Sequence, residues 1–135
     1  MTYEFSIDIL PVPKARPRFT RNGGCYTPTN TAVYEQILYA EAKKAGVQPA
    51  PKGTPVYVEV EFHIPYPVSM SRKHRAFAQP AVRPDVDNLA KAVLDGLNGV
   101  AWHDDKQIIQ LRARKRYADA AQVNVIIHHL VESAV

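Results

Sequence analysis

Two stretches carry side chains able to do chemistry: RPDVDNLAKAVLDGL at residues 83–97 and WHDD at residues 102–105. Asp85 and Asp87 stand two residues apart, where like charges repel at neutral pH unless a cation lies between them. Mg²⁺ suits that place. It prefers oxygen ligands and takes one or two protein carboxylates, leaving its other positions to water and phosphate oxygens. Asp104 and Asp105 fall in a short turn after this stretch, from which they could return to its start and add a further carboxylate. Lys91 has the wrong charge for a metal ligand and the right charge to stabilise a phosphate oxyanion or a leaving group. Carboxylates, a divalent ion and a lysine form the set used in metal-assisted phosphodiester hydrolysis. Each residue also has a plainer use. Asp85 can be a helix N-cap, Asp87 a partner of the helix dipole or of Lys91 at i,i+4, and Asp104–Asp105 a turn. Four carboxylates so close in the chain argue for a shared cation over four separate structural duties.

These residues need elements to hold them. Pro84 turns Arg83 away from helical angles, so a helix is expected from Asp87 to Leu97, with Asp85 at or just before its start. At about 100° per residue, Asp87, Lys91, Asp95 and Asn88 share one arc of roughly 100°, and Leu89, Val93 and Leu97 lie opposite. Gly96 and Gly99 bracket the helix end. Tyr3 to Leu10 alternates apolar and polar residues as a half-buried strand does, until Pro11 and Pro13 stop it. Lys14 to Asn30 reads as a loop, followed by a helix from Thr31 to Ala45 that Thr29 or Asn30 could cap and Gly46 ends. Val56 to Ile64 (VYVEVEFHI) is a strong strand, and Pro65 to Pro84, with its four prolines, a loop. Ile108 to Tyr117 and Gln122 to Val131 are two further strands, with Ala118 to Ala121 joining them as a hairpin. The sequence therefore predicts one small α/β (α+β) domain over residues 1–135, a mixed sheet of about four strands with two helices in the order β-α-β-α-β-β.

Composition narrows the rest. The 135 residues are 46% hydrophobic and 22% charged, a globular balance with no repeat, coiled coil or disordered tract. No apolar run is long enough to span a membrane, and MTYEFSIDIL has no basic n-region, so neither a membrane partner nor a secretory signal is expected. Cys25 is the one cysteine, which excludes an internal disulfide or a zinc site built on several cysteines and points to the cytoplasm. Seventeen Lys and Arg against thirteen Asp and Glu leave a net charge of +4, compatible with a polyanion. The cations cluster: Lys14, Arg16, Arg18 and Arg21 in one loop, interleaved with Phe19 and Tyr26; Arg72, Lys73, Arg75 and Arg83 in another; Arg112, Arg114, Lys115 and Arg116 on a strand. Such groups set position on phosphates, and loop aromatics can stack on bases; the plainer reading is a solvated loop pinned by its aromatics. His103 is read as a turn histidine in water, Trp102 as a core or dimer contact, and the neighbours His128 and His129 as facing opposite sides of a strand. No RNP aromatic pair or GXXG loop supports RNA recognition.

RPDVDNLAKAVLDGLNGVAWHDDKQI, residues 83–108, resembles the core block of the RusA family of Holliday junction resolvases, small phage- and prophage-associated endonucleases. PVPKARPRFTRNGGCYTP, residues 11–28, is similar to that family's opening. The resemblance implies Mg²⁺-dependent, or Mn²⁺-dependent, nicking of four-way DNA junctions by a homodimer with no small-molecule cofactor, two symmetric cuts needing one site per subunit. By position in the motif, Asp85, Asp87 and Asp105 match the metal-binding carboxylates, Lys91 the active-site lysine, and Asn88, Asp95 and Asp104 supporting residues. Lys14, Arg16, Arg18, Arg21, Lys73 and Arg83 are the cations expected on DNA. Two alternatives stay open: another structure-specific metal nuclease acting on flaps or branches, and a basic DNA-binding protein without catalysis.

Overall fold

The computed structural model describes residues 1–14, 18–19, 25–26 and 29–131. Its elements in chain order are β1 (Thr2–Ile7), β2 (Arg18–Phe19), β3 (Cys25–Tyr26), α1 (Thr29–Lys44), β4 (Val56–Pro65), α2 (Arg72–Arg75), α3 (Val86–Leu97), a 3₁₀ turn (Asp105–Gln107), β5 (Ile108–Ala118) and β6 (Gln122–His129). The main sheet has four strands in the order β1-β6-β4-β5, and β2 pairs with β3 in a small separate ladder. The expected mixed sheet with two long helices is present. The two stretches read as loops hold extra short pieces, β2–β3 in the first and the one-turn α2 in the second.

Strand order differs from the expected hairpin. β5 and β6 are not partners: β4 lies between them, parallel to β5 and antiparallel to β6, and β6 pairs antiparallel with β1. The parallel β4–β5 pair needs a crossover, and α3 supplies it. β6 takes the central place because its alternate residues Val123, Val125 and Ile127 are fully buried. β5, with its cations, is left at the edge, where charge blunts unwanted pairing.

The core forms where one sheet face meets both long helices. Val56, Val58, Val60 and Phe62 of β4, Phe5 and Ile7 of β1, Leu38 of α1, and Leu89, Val93 and Leu97 of α3 are buried together. α1 and α3 approach so closely at Gly96 that an added Cβ there would lie 3.1 Å from the Glu35 Cα and from Leu38 Cδ1. Gly96 is thus a packing glycine inside α3, while Gly99, at φ +90°, is the turn glycine after it. Gly46, at φ +83°, follows α1 as expected. The opposite sheet face carries paired charges: Glu59 with His128 at 2.9 Å, Glu61 with His63 at 2.8 Å, and Glu61 with Arg116 at 3.2 Å. His128 accordingly faces outward and His129 is buried. No helix among the described residues is long and apolar enough to cross a membrane.

Candidate active site

α3 starts where the sequence places it. Asp85 is extended (φ −68°, ψ 142°), and Leu89 N–H donates to its backbone carbonyl at 3.1 Å. Its carboxylate makes no capping hydrogen bond to the helix. Asp87, in the first turn, forms no ion pair with Lys91 among the described residues, and both side chains are exposed. The cap and the ion pair are therefore not made, while Asp87 does stand at the positive end of the helix dipole.

Two tethers fix this helix start. Lys115 of β5 donates from Nζ to the carbonyls of Val82 at 2.7 Å and Pro84 at 2.9 Å. From the other side, Lys14 N–H donates to the Asn88 carbonyl at 3.0 Å. The Lys14 ammonium reaches further, to Glu35 of α1 at 2.6 Å and Asp95 of α3 at 3.1 Å. Burial pushes its pKa down, but the bonds to Glu35 and Asp95 outweigh that and hold it above the usual lysine value. Lys14, expected on DNA, has its charge engaged inside the fold, and Asp95 spends its carboxylate on Lys14. An open groove of about 600 Å³ runs beside the site, lined by Leu10, Pro11, Pro13, Arg83, Asp85 and Asn88 among others.

The Asp104–Asp105 turn is built differently. Asp104 caps the 3₁₀ turn, accepting from Lys106 N–H at 2.9 Å. Gln107 is its hub. Its Oε1 accepts from the N–H groups of His103 at 2.8 Å and Asp104 at 3.0 Å, and its Nε2 donates to the carbonyls of Pro51 at 2.9 Å and Thr54 at 3.1 Å. Asp105 accepts from the indole N–H of the fully buried Trp102 at 2.9 Å. Trp102 and Gln107 are the residues to which sequence reasoning gave no part in the site. The signal was the need of a buried indole N–H and a buried amide for partners.

The two acidic groups do not meet in one chain. α3 lies between them with 12 residues, about 18 Å of helix at 1.5 Å per residue. The sheet gives the same answer: Asp105 precedes Ile108, level with Val56 at one end, whereas Lys115, which holds Pro84, is level with Phe62 near the other. No group of three or more His, Cys, Asp or Glu side chains among the described residues is placed to hold a metal ion. The expected return of Asp105 to Asp85 and Asp87 within a single chain does not occur.

Lys73, Arg83 and Lys91 are exposed and free of ion pairs among the described residues. Arg16 and Arg21 lie outside those residues, and Arg18 stands in β2 opposite Tyr26. His103 is exposed, as read.

Comparison with known proteins agrees with the motifs. The family model described as "Endodeoxyribonuclease RusA" matches residues 8–128. The chain is also similar to the uncharacterised protein YqaN of Bacillus subtilis (strain 168), 29% identical over 137 residues that cover 94% of this chain and 96% of that protein.

Proposed function

The chain belongs to the RusA endodeoxyribonuclease family, and from that premise we propose that it nicks branched DNA, four-way junctions above all, as a homodimer that depends on a divalent cation. The observation that carries this reading is the state of Asp85 and Asp87: two exposed carboxylates at the start of one helix, used by neither a cap nor an ion pair. Water screens their mutual repulsion, and both stay open to a shared cation, which would remove what repulsion remains. Lys91 on the same helix would neutralise charge developing on the scissile phosphate, and Arg83 and Lys73 would hold flanking phosphates. On this reading the place of action is the cytoplasm.

The described residues of one protomer do not form the three-carboxylate site that the family resemblance implies. A homodimer resolves the mismatch. Asp105 of the partner subunit would join Asp85 and Asp87, and the twofold axis would generate two such sites for two symmetric cuts. Mg²⁺ or Mn²⁺ held there would supply Lewis-acid activation of water.

The separation of Asp105 also favours a second reading, a basic DNA-binding protein without catalysis. The test is nicking of a synthetic four-way junction, beside three-way, flap and linear DNA, with and without Mg²⁺ or Mn²⁺. Metal-dependent paired nicks in the junction are expected. Asp87→Asn should abolish them while keeping or strengthening DNA binding, since it removes negative charge from the binding face. Cleavage unchanged in Asp87→Asn would remove this site assignment, no cleavage at all would leave the binding protein, and equal cleavage of flaps would widen the substrate class.

A further inference from the structure

We propose that Phe77, held out on the strap between β4 and α3, stacks on an unstacked base face at the branch point of the DNA. This deepens the reading above and rests on it. The strap runs from Tyr66, stacked on Tyr117, to Val82 and Pro84, tied to Lys115, so both of its ends lie at the Asp85–Asp87 end of the molecule.

Phe77 is 78% exposed and Val68, on the same strap, 99% exposed. A lone exposed apolar side chain on a surface needs no explanation; an anchored one among free cations does. The backbone that presents Phe77 is fixed. Tyr66 stacks on Tyr117 of β5 at 5.3 Å between centroids, and the Arg75 guanidinium lies 4.9 Å over the Tyr66 ring. Arg75 Nε donates to the Met70 carbonyl at 3.1 Å, and Ser71 Oγ accepts from His74 N–H at 3.2 Å. Phe77 N–H itself donates to the His74 carbonyl at 3.1 Å. Lys115 closes the far end of the strap on Val82 and Pro84. The ring therefore stands in water on an ordered support, with little ordering left to be lost when it binds.

Charge selects the occupant. Arg72 and Lys73, on the one-turn helix just before Phe77, are exposed and make no ion pair among the described residues. Cations beside an exposed aromatic fit a nucleic-acid strand, the cations on phosphates and the ring on a base face. A second copy of the same strap would bring like charges together. A duplex hides its base faces in the stack, whereas a branch point exposes them, so a stacking ring rewards branched DNA over linear DNA.

The experiment uses the full chain and a four-way junction carrying 2-aminopurine at the branch point, with a duplex of the same sequence alongside. Wild-type protein should change the 2-aminopurine fluorescence. Phe77→Ala should lose that change and bind the junction about ten-fold more weakly or worse, narrowing its gap to the duplex, and Phe77→Trp should restore both. The melting temperature should hold in each variant, because the ring is not part of the core. Junction affinity and fluorescence equal to wild type in Phe77→Ala would overturn the proposal while leaving the nuclease reading intact. Dimers turned to monomers by Phe77→Ala would also overturn it, by placing the ring at a subunit contact. A wild-type protein that neither binds nor nicks branched DNA would instead remove the reading on which it rests.

Discussion

Asp85 and Asp105 are held in opposite ways. Asp85 is presented by backbone alone, through an extended residue that starts a helix. Asp105 is aimed by a side chain, the buried Trp102 indole. A carboxylate that must sit where charge is gathered gains from such orientation, because its rotamer is fixed before substrate arrives. Trp102→Phe keeps an aromatic ring in the core and deletes the N–H. It should cost about 1–3 kcal/mol of stability, measured by urea denaturation, through the smaller ring and the lost bond. Nicking should fall about ten-fold or more, with DNA affinity by gel shift unchanged. An unchanged rate would mean that Asp105 does not need Trp102 or has no part in the reaction. At this scale, what the sequence made legible was local. Asp85, Asp87 and Lys91 declare themselves by type and spacing within one helix. Lys14 misled because its partners, Glu35 and Asp95, sit on two helices far along the chain, so a charge neutralised in the fold read as a free cation.

Elements show where a pattern stops informing. The period of two located β1, β4 and β5, because a strand with one buried face must alternate, and a nearly unbroken apolar run located β6. Strand order is a different matter: a three-residue gap between β5 and β6 fits a hairpin as well as a step past the end of β4. The contrast that separates the cases was present, in the apolar VNVIIHHLV against the cationic LRARKR. The first asks for neighbours on both sides and the second for an edge. Gly96 was read as punctuation because helix-end glycines are common, yet it serves the α1–α3 contact. Gly96→Ala should destabilise by about 1–3 kcal/mol, seen as a lower denaturation midpoint, since two of the close atoms are backbone of α1 and the helix must move. Wild-type stability in this variant would mean that α1 yields freely. The sheet's charged groups make a second prediction. Burial pushes the His129 pKa below its ordinary 6.5, against the bond to the Ala101 carbonyl, with the N-terminal charge adding to the fall. Glu59 is held below 4.5 chiefly by its hydrogen bond from His128; burial pushes Glu61 up, but His63 and Arg116 outweigh it and leave it below 4.5. All three are depressed, so their stability is complete above the unfolded values and lost as pH falls. Melting temperature should be level from about pH 6.5 to about pH 9, fall at lower pH as His129 protonates, and fall again below about pH 4.5 as the glutamates do. His129→Gln keeps a donor for Ala101 and should flatten the first fall alone.

For the whole molecule the question is how many chains make one site. With Asp85 and Asp87 at the start of α3, and Asp105 beyond its other end at the opposite end of β5, the described residues of one chain bring no three carboxylates together to hold an ion. The twofold dimer proposed above would join one group of each subunit to the other group of its partner. That arrangement predicts complementation. Homodimers of Asp87→Asn have two dead sites, and so do homodimers of Asp105→Asn. In a mixed dimer both substitutions fall in the same composite site, and the other site is wild type in every residue. Co-expression of the two variants should therefore restore nicking in about half of the dimers, cutting one strand of each junction instead of a symmetric pair. Sites complete within one chain behave otherwise, since each subunit of the mixed dimer then carries a damaged site and no nick appears. The readout is the ratio of single to paired nicks in the co-expressed protein against each variant alone. Silence from mixed dimers that form and bind the junction would refute the shared site. Single nicks would explain why a fold that parts its own carboxylates still belongs among nucleases: the second chain supplies the missing ligand, and the same symmetry sets the two cuts across the junction.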